Sequence, residues 1–377
     1  MGLGRGVVLA LVTWGALASA AAPSQAAAKS GARNFVYVND TAGRASVFGF
    51  ALASDGTLTP LAGSPYTADW NGPNCGGPCN TMSYSARRKV LVSGTGGGVT
   101  VWRVAADGTL SVVPGSPFGS GTDVAIGTRV VDVGRRSFAY TATSNEGKVR
   151  GWEILADGTL AELPSSPVDA GSAPVALDAN RRRLLCVGGA PLQPGEITSW
   201  LVAKDGALTR AAGTPVQTLT SAFSARIEPR GKYVFAAAEG TAVASYAFDR
   251  KKATLTPLAG SPTESGFPST FDAAIPSAKG LLLVPAYDED GAGDLQMFRF
   301  DRKGALSKLG APQDSGLSLV ESGTFTADGR TLVLASRLSA EVRTYSVDLR
   351  TGRLAPRDTE PLGAGALHLN EVLVVRR

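Results

Sequence analysis

Few side chains in this chain could carry out chemistry. A single histidine, His368, stands among 377 residues. That scarcity limits imidazole acid–base work and histidine metal sites more than any other number here. Hydrolysis at a carbonyl needs a group that activates water and a cation that holds the developing oxyanion. Glu321 or His368 could be the base, and Arg129 or Arg226 the cation. Asn80 and Asp272 are the remaining polar residues of the strands that would carry these groups, and are candidate ligand contacts.

Three cysteines are present. Cys75 and Cys79 enclose Gly-Gly-Pro, a spacing that suits a local disulfide in an oxidising compartment and also fits a redox-active pair. Cys186 lies in the apolar run 184–187 and reads as a buried free thiol. Asp288, Asp290 and Asp294 alternate around Gly291 and Gly293, which suits Ca²⁺ and its six to eight hard oxygen ligands. The same residues also suit a solvated turn. The glycine run at 94–98 lacks the Lys-Ser/Thr and the following helix of a phosphate-binding loop.

The elements that must position these groups come from a repeat. Leu58, Leu110, Leu160, Leu208, Leu255, Leu306 and Leu354 are spaced 47 to 52 residues apart. An aromatic precedes each by eight to ten residues: Phe48, Trp102, Trp152, Trp200, Tyr246, Phe298 and Tyr345. A proline follows each by six or seven. In 101–118, VWRVAADGTLSVVPGSPF, an alternating run meets Asp107-Gly108 and resumes at Leu110. Asp tolerates left-handed backbone angles and Gly has no Cβ to clash, so the pair reads as a tight turn between two strands. A period near 50 with about four short strands per unit marks a β-propeller, here of seven blades. The aromatics read as packing between blades.

Inner strands, which line a propeller's channel, are expected near 80–86, 128–134, 173–179, 222–228, 270–276 and 321–327, with the seventh at 366–375. The chain starts on a second strand and ends on an inner one. First and last segments should therefore complete one blade together, which removes exposed edges.

The totals agree with one all-β domain. Hydrophobic residues make up 44% and charged residues 18%, with 46 Gly and 22 Pro, a balance that favours short strands and turns. A net charge of +5 is too mild for a nucleic-acid-binding stripe. Basic residues do recur in the turns after the inner strands, from Arg87, Arg88 and Lys89 to Arg330, on one face of the disc. They could form a basic ring for an acidic partner or for lipid headgroups. The Asp-Gly turns, with Asp55, Asp107, Asp157 and Asp205, share that face.

Residues 1–26 read as a secretory signal peptide, with Arg5 ahead of an apolar stretch at 7–18 that is too short to span a bilayer. Residues 27–33 form a short linker and 34–377 the propeller. The mature protein is expected in the periplasm or outside the cell.

Tyr37-Val38-Asn39 is similar to the Tyr-Val-Thr-Asn strand of bacterial propeller repeats. The phrase formed by Asp55–Leu58 with Gly63–Tyr66 resembles the lactonase-type seven-bladed propellers, which include 6-phosphogluconolactonases and carboxymuconate-cyclising enzymes. The resemblance covers nearly all of 35–375. It implies the closed seven-bladed fold and, as an activity, lactone hydrolysis in the central channel. With one histidine on the last strand, the residues favour an exported binding or scaffold protein for a small molecule or envelope partner. An extracytoplasmic lactone hydrolase is the alternative. No cofactor is required in either reading, apart from possible Ca²⁺.

Overall fold

The structure, a computed structural model, describes residues 34–40, 46–68, 81–95, 98–119, 125–143, 146–171, 173–189, 193–238, 240–266, 274–287, 292–336, 338–363 and 369–376. These residues form seven antiparallel sheets, each a four-stranded meander, and five of them add a short extra strand on the third. The sheets are the blades of a propeller, numbered here in chain order. Blade one holds the first and last of the described strands. The terminal strand Leu369–Arg376 is its inner strand and pairs with Asn34–Asp40, which pairs in turn with Ser46–Leu52. Tyr37 stands opposite Leu373 in that closing ladder.

The core is a set of seven inter-blade layers. Each of the seven clusters of buried apolar residues draws on two consecutive blades, and the repeat aromatic of the later blade belongs to it. Trp102 of blade two packs with Phe35 and Tyr37 of blade one; Trp200 of blade four packs with Phe138 and Tyr140 of blade three. Phe48 of blade one joins Val333 of blade seven and so closes the circle. A sheet with two apolar faces has nowhere else to bury them, so the aromatics are structural, as the spacing predicts.

The repeated phrases have local causes. In the Gly-Ser-Pro phrase, which reads Ser-Ser-Pro at 165–167, the serine hydroxyl accepts the backbone N–H of a third-strand residue. Ser64 takes Gly49 at 2.9 Å, Ser116 takes Val101 at 3.1 Å, Ser166 takes Gly151 at 3.0 Å and Ser261 takes Ser245 at 2.8 Å. In the Asp-Gly turns only the glycine is left-handed. Asp107 instead accepts the Thr109 N–H at 3.0 Å, which corrects the role expected for the aspartate. Gly108 has φ +89°, and a Cβ there would lie 2.4 Å from the Phe35 ring of the previous blade. The Tyr37 hydroxyl donates to the Gly108 carbonyl at 2.6 Å, and Tyr140 repeats this with Gly206 at 2.7 Å. The glycine therefore serves both the turn and the blade contact.

The inner strands follow the expected positions with two differences. That of blade three, Ala125–Val133, begins three residues earlier than expected, and that of blade six comprises Ile275–Pro276 among the described residues. Side chains stitch neighbouring inner strands together. Ser83 accepts the Val130 N–H at 2.9 Å, Asp178 the Ile227 N–H at 2.7 Å and Ser322 the Val372 N–H at 3.0 Å.

Candidate functional site in the central channel

The seven inner strands surround a cavity of about 220 Å³, to which every blade contributes. Its polar wall consists of Ser83, Arg129, Asp178, Arg226, Thr324 and Glu371; Met82, Ile227, Ile275 and Val372 supply apolar surface. Arg129 stands opposite Tyr140 and Arg226 opposite Phe235, both on second strands, so rigid ladders hold both arginines.

The four charged residues form one network. Arg129 Nε lies 3.2 Å from Asp178 Oδ1, and Arg129 Nη1 lies 3.2 Å from Glu371 Oε2. Arg226 Nη1 approaches the same Asp178 Oδ1 at 3.8 Å, and its Nη2 approaches Glu371 Oε1 at 3.5 Å. Each carboxylate thus bridges both guanidiniums. Blades three, four, five and one are tied across the channel, with two positive and two negative charges. The side chains of Arg129 and Glu371 are only 8% and 6% exposed. At that burial an unpaired charge would be costly, so the pairing is what allows all four to be charged. Arg129 Nη1 also donates to the Thr128 carbonyl at 2.8 Å, and the Glu371 N–H donates to Asn39 Oδ1 at 2.8 Å.

Of the residues expected from sequence, Arg129 and Arg226 are brought together here. Glu321 lies in Val320–Phe325 at the point where the register shifts between Val320 and Ser322. Asn80, Asp272, His368, Cys75, Cys79, Asp288 and Asp290 lie outside the described residues. Asp294 is on Ala292–Phe300 opposite Ala286 and Asp314. Among the described residues no three metal-ligating side chains gather. Cys186 is a buried free thiol whose pKa burial pushes up, the opposite of what a nucleophile needs.

Asp178 and Glu371 are the site residues that sequence reasoning missed, although both fall inside expected inner strands. A signal was present for Asp178. Ser83, Asp178 and Ser322 recur near multiples of the repeat period, each as an acceptor for the next blade's backbone. Glu371 has no such echo, because its role depends on reaching across the channel to two blades that are not its neighbours.

No protein-family model and no curated relative matches the sequence. Solved structures do match. A proposed 6-phosphogluconolactonase from Bacteroides fragilis is 17% identical and superimposes with a TM-score of 0.67, covering 92% of this chain and 99% of that one. A second such protein from Bacteroides uniformis is 15% identical with a TM-score of 0.68, covering 91% and 100%. A periplasmic gluconolactonase from Pseudomonas aeruginosa is 16% identical with a TM-score of 0.64, covering 91% and 99%. The chain is thus a seven-bladed β-propeller with the fold of the 6-phosphogluconolactonase-like proteins. No helix among its described residues is long and apolar enough to cross a membrane.

Proposed function

We propose that this is an exported lactonase-like propeller that binds a small neutral, hydroxyl-rich molecule in its central channel. The observation that carries this reading is the pairing of Arg129 and Arg226 with Asp178 and Glu371. An oxyanion developing beside the arginines would have to compete with two carboxylates already there, and would be repelled by them. A neutral polyol meets no such opposition: guanidiniums donate to its oxygens and carboxylates accept from its hydroxyls. The cavity of about 220 Å³ is below the roughly 300–1,000 Å³ of pockets for drug-sized ligands, so the occupant is on the monosaccharide scale.

The second reading is an extracytoplasmic lactone hydrolase with Glu321 or His368 as base, and the likeness to the Pseudomonas aeruginosa gluconolactonase favours it. One experiment separates the two. Residues 27–377 are tested for proton release from sugar and aromatic lactones, with Glu321→Gln as control, and for heat of binding with neutral sugars and sugar acids. Binding of neutral sugars without proton release, lost in Arg226→Gln, supports the binding reading. Lactone turnover abolished in Glu321→Gln overturns it in favour of the hydrolase.

A further inference from the structure

The basic ring expected on the hairpin face is not uniform. Three turns gather at the seam between blades four and five. The first joins Pro174–Asn180 to Arg183–Gly188 and carries Arg181 and Arg182, with Arg183 just beyond. The second joins Ala222–Ile227 to Tyr233–Ala238 and carries Arg230 and Lys232. The third joins Ala242–Phe248 to Leu255–Pro257 and carries Arg250, Lys251 and Lys252.

Hydrogen bonds fix the three together. Asn180 Nδ2 donates to the Glu228 and Pro229 carbonyls at 3.4 and 3.1 Å, and the Arg183 guanidinium donates to the Arg250 carbonyl. A Cβ built on Gly231 would lie 3.1 Å from Asn180 Oδ1 and 3.5 Å from Arg250 Cδ, so those side chains close over the glycine. The seam is one surface with fixed relative positions.

Its charge is one-sided. Eight cations face two carboxylates, a formal +6, whereas the entire chain carries +5. The remainder of the chain therefore sums to −1. Both carboxylates serve their own turns. Asp249 accepts the Lys251 and Lys252 N–H groups at 2.7 and 3.1 Å, and buried Glu228 accepts those of Arg230 and Lys232 at 2.8 and 2.7 Å. The ion pairs among the described residues lie elsewhere. Burial, and after it the nearby Arg250, Arg181 and Arg182, hold the Arg183 guanidinium below its ordinary pKa, with Asp249 acting against them.

We infer that this seam docks a linear anionic polysaccharide. Five of the eight cations are arginines, whose planar fork matches carboxylate and sulfate groups. A bilayer laid flat on the same face would also meet Asp55, Asp107 and Asp157, whose turns contain no cation. A narrow chain can follow the seam and avoid them.

The test uses heparin as the probe and residues 27–377 as the protein, with binding measured against salt. The variant R181Q/R182Q/K251Q/K252Q removes four exposed charges from the seam. The control R87Q/R135Q/K308Q/R357Q removes four exposed charges elsewhere, two of them on the same face. The seam variant is expected to lose more than about tenfold in affinity with a shallower salt dependence, and the control less than about twofold. The half-variants R181Q/R182Q and K251Q/K252Q should each lose a part, which keeps the result readable if the quadruple variant folds poorly. Equal losses in seam variant and control, no binding by the wild type, or tighter binding to phosphatidylglycerol vesicles or duplex DNA than to heparin would overturn the proposal.

Discussion

Arg129 and Glu371 are 242 residues apart in the chain and meet at 3.2 Å in the channel, where blade one reaches over blade two to blade three. Glu371 sits on the terminal strand that closes the ring, so the contact links ring closure to the channel wall. Replacing Glu371 by Ala leaves the buried Arg129 guanidinium and the partly buried one of Arg226 sharing Asp178. Breaking one side of a buried pair costs roughly 3–5 kcal/mol. The expected result is an unfolding free energy in urea lowered by that amount, with the midpoint shifted down by that energy divided by the m-value. The double variant Arg129→Leu with Glu371→Leu should cost less than the two single variants summed, because it leaves fewer charges stranded. Additive losses would show that the two residues do not act as a pair.

The same strand makes a stronger claim about folding. Removing 366–377 deletes the inner strand of blade one and exposes the ladder edge of Asn34–Asp40, including the positions opposite Leu373 and Val372. It also removes Leu369, Val372 and Val375 from two inter-blade clusters. The truncated protein should show no cooperative thermal transition by circular dichroism. A truncated protein that keeps the full melting temperature would refute the closure argument.

How far the sequence could be read depended on repetition. Landmarks that recur, such as Trp102, Trp152 and Trp200, located the blade interfaces because the same physical demand is met seven times. The channel network was only half legible. Arg129 and Arg226 stood out as charges on inner strands, but which side chains neutralise them depends on distances across the ring, and no local pattern encodes those. The unequal basic ring was hidden too: the mild net charge averaged a +6 seam against a remainder of −1.

The Gly-Ser-Pro phrase makes a repeated prediction. In Ser116→Ala the Val101 N–H loses its acceptor in a partly buried site. An unsatisfied backbone donor costs about 1–3 kcal/mol. Ser64→Ala and Ser166→Ala remove the equivalent acceptors for Gly49 and Gly151 and should fall in the same range. Thr214→Ala should cost less, since the Thr214 hydroxyl donates to the Ala211 carbonyl and no third-strand N–H depends on it. Chemical denaturation of the four variants checks the ordering. A Thr214 variant as damaging as the serine variants would contradict the role assigned to the hydroxyl.

Alkaline pH should unfold the protein through its buried phenols. Burial, the largest cause in each case, pushes Tyr66 and Tyr345 up to about 12. Their hydroxyls donate to the carbonyls of Ala62 at 2.8 Å and Ser315 at 2.6 Å, so ionisation would also forfeit a hydrogen bond. In the unfolded chain a phenol titrates near 10. Between about pH 10 and pH 12 the unfolded state therefore releases protons that the folded state keeps, and stability falls as pH rises. The stabilisation from this source is complete below the unfolded value and lost through that window, on the order of 2–3 kcal/mol per tyrosine by its upper end. The melting temperature should fall steadily over this range, and part of the tyrosinate absorbance should appear only with unfolding. Tyr66→Phe should show a weaker pH dependence, having lost one of the linked groups. Complete tyrosinate formation near pH 10 in a protein that remains folded would show that these phenols are not held neutral by their surroundings.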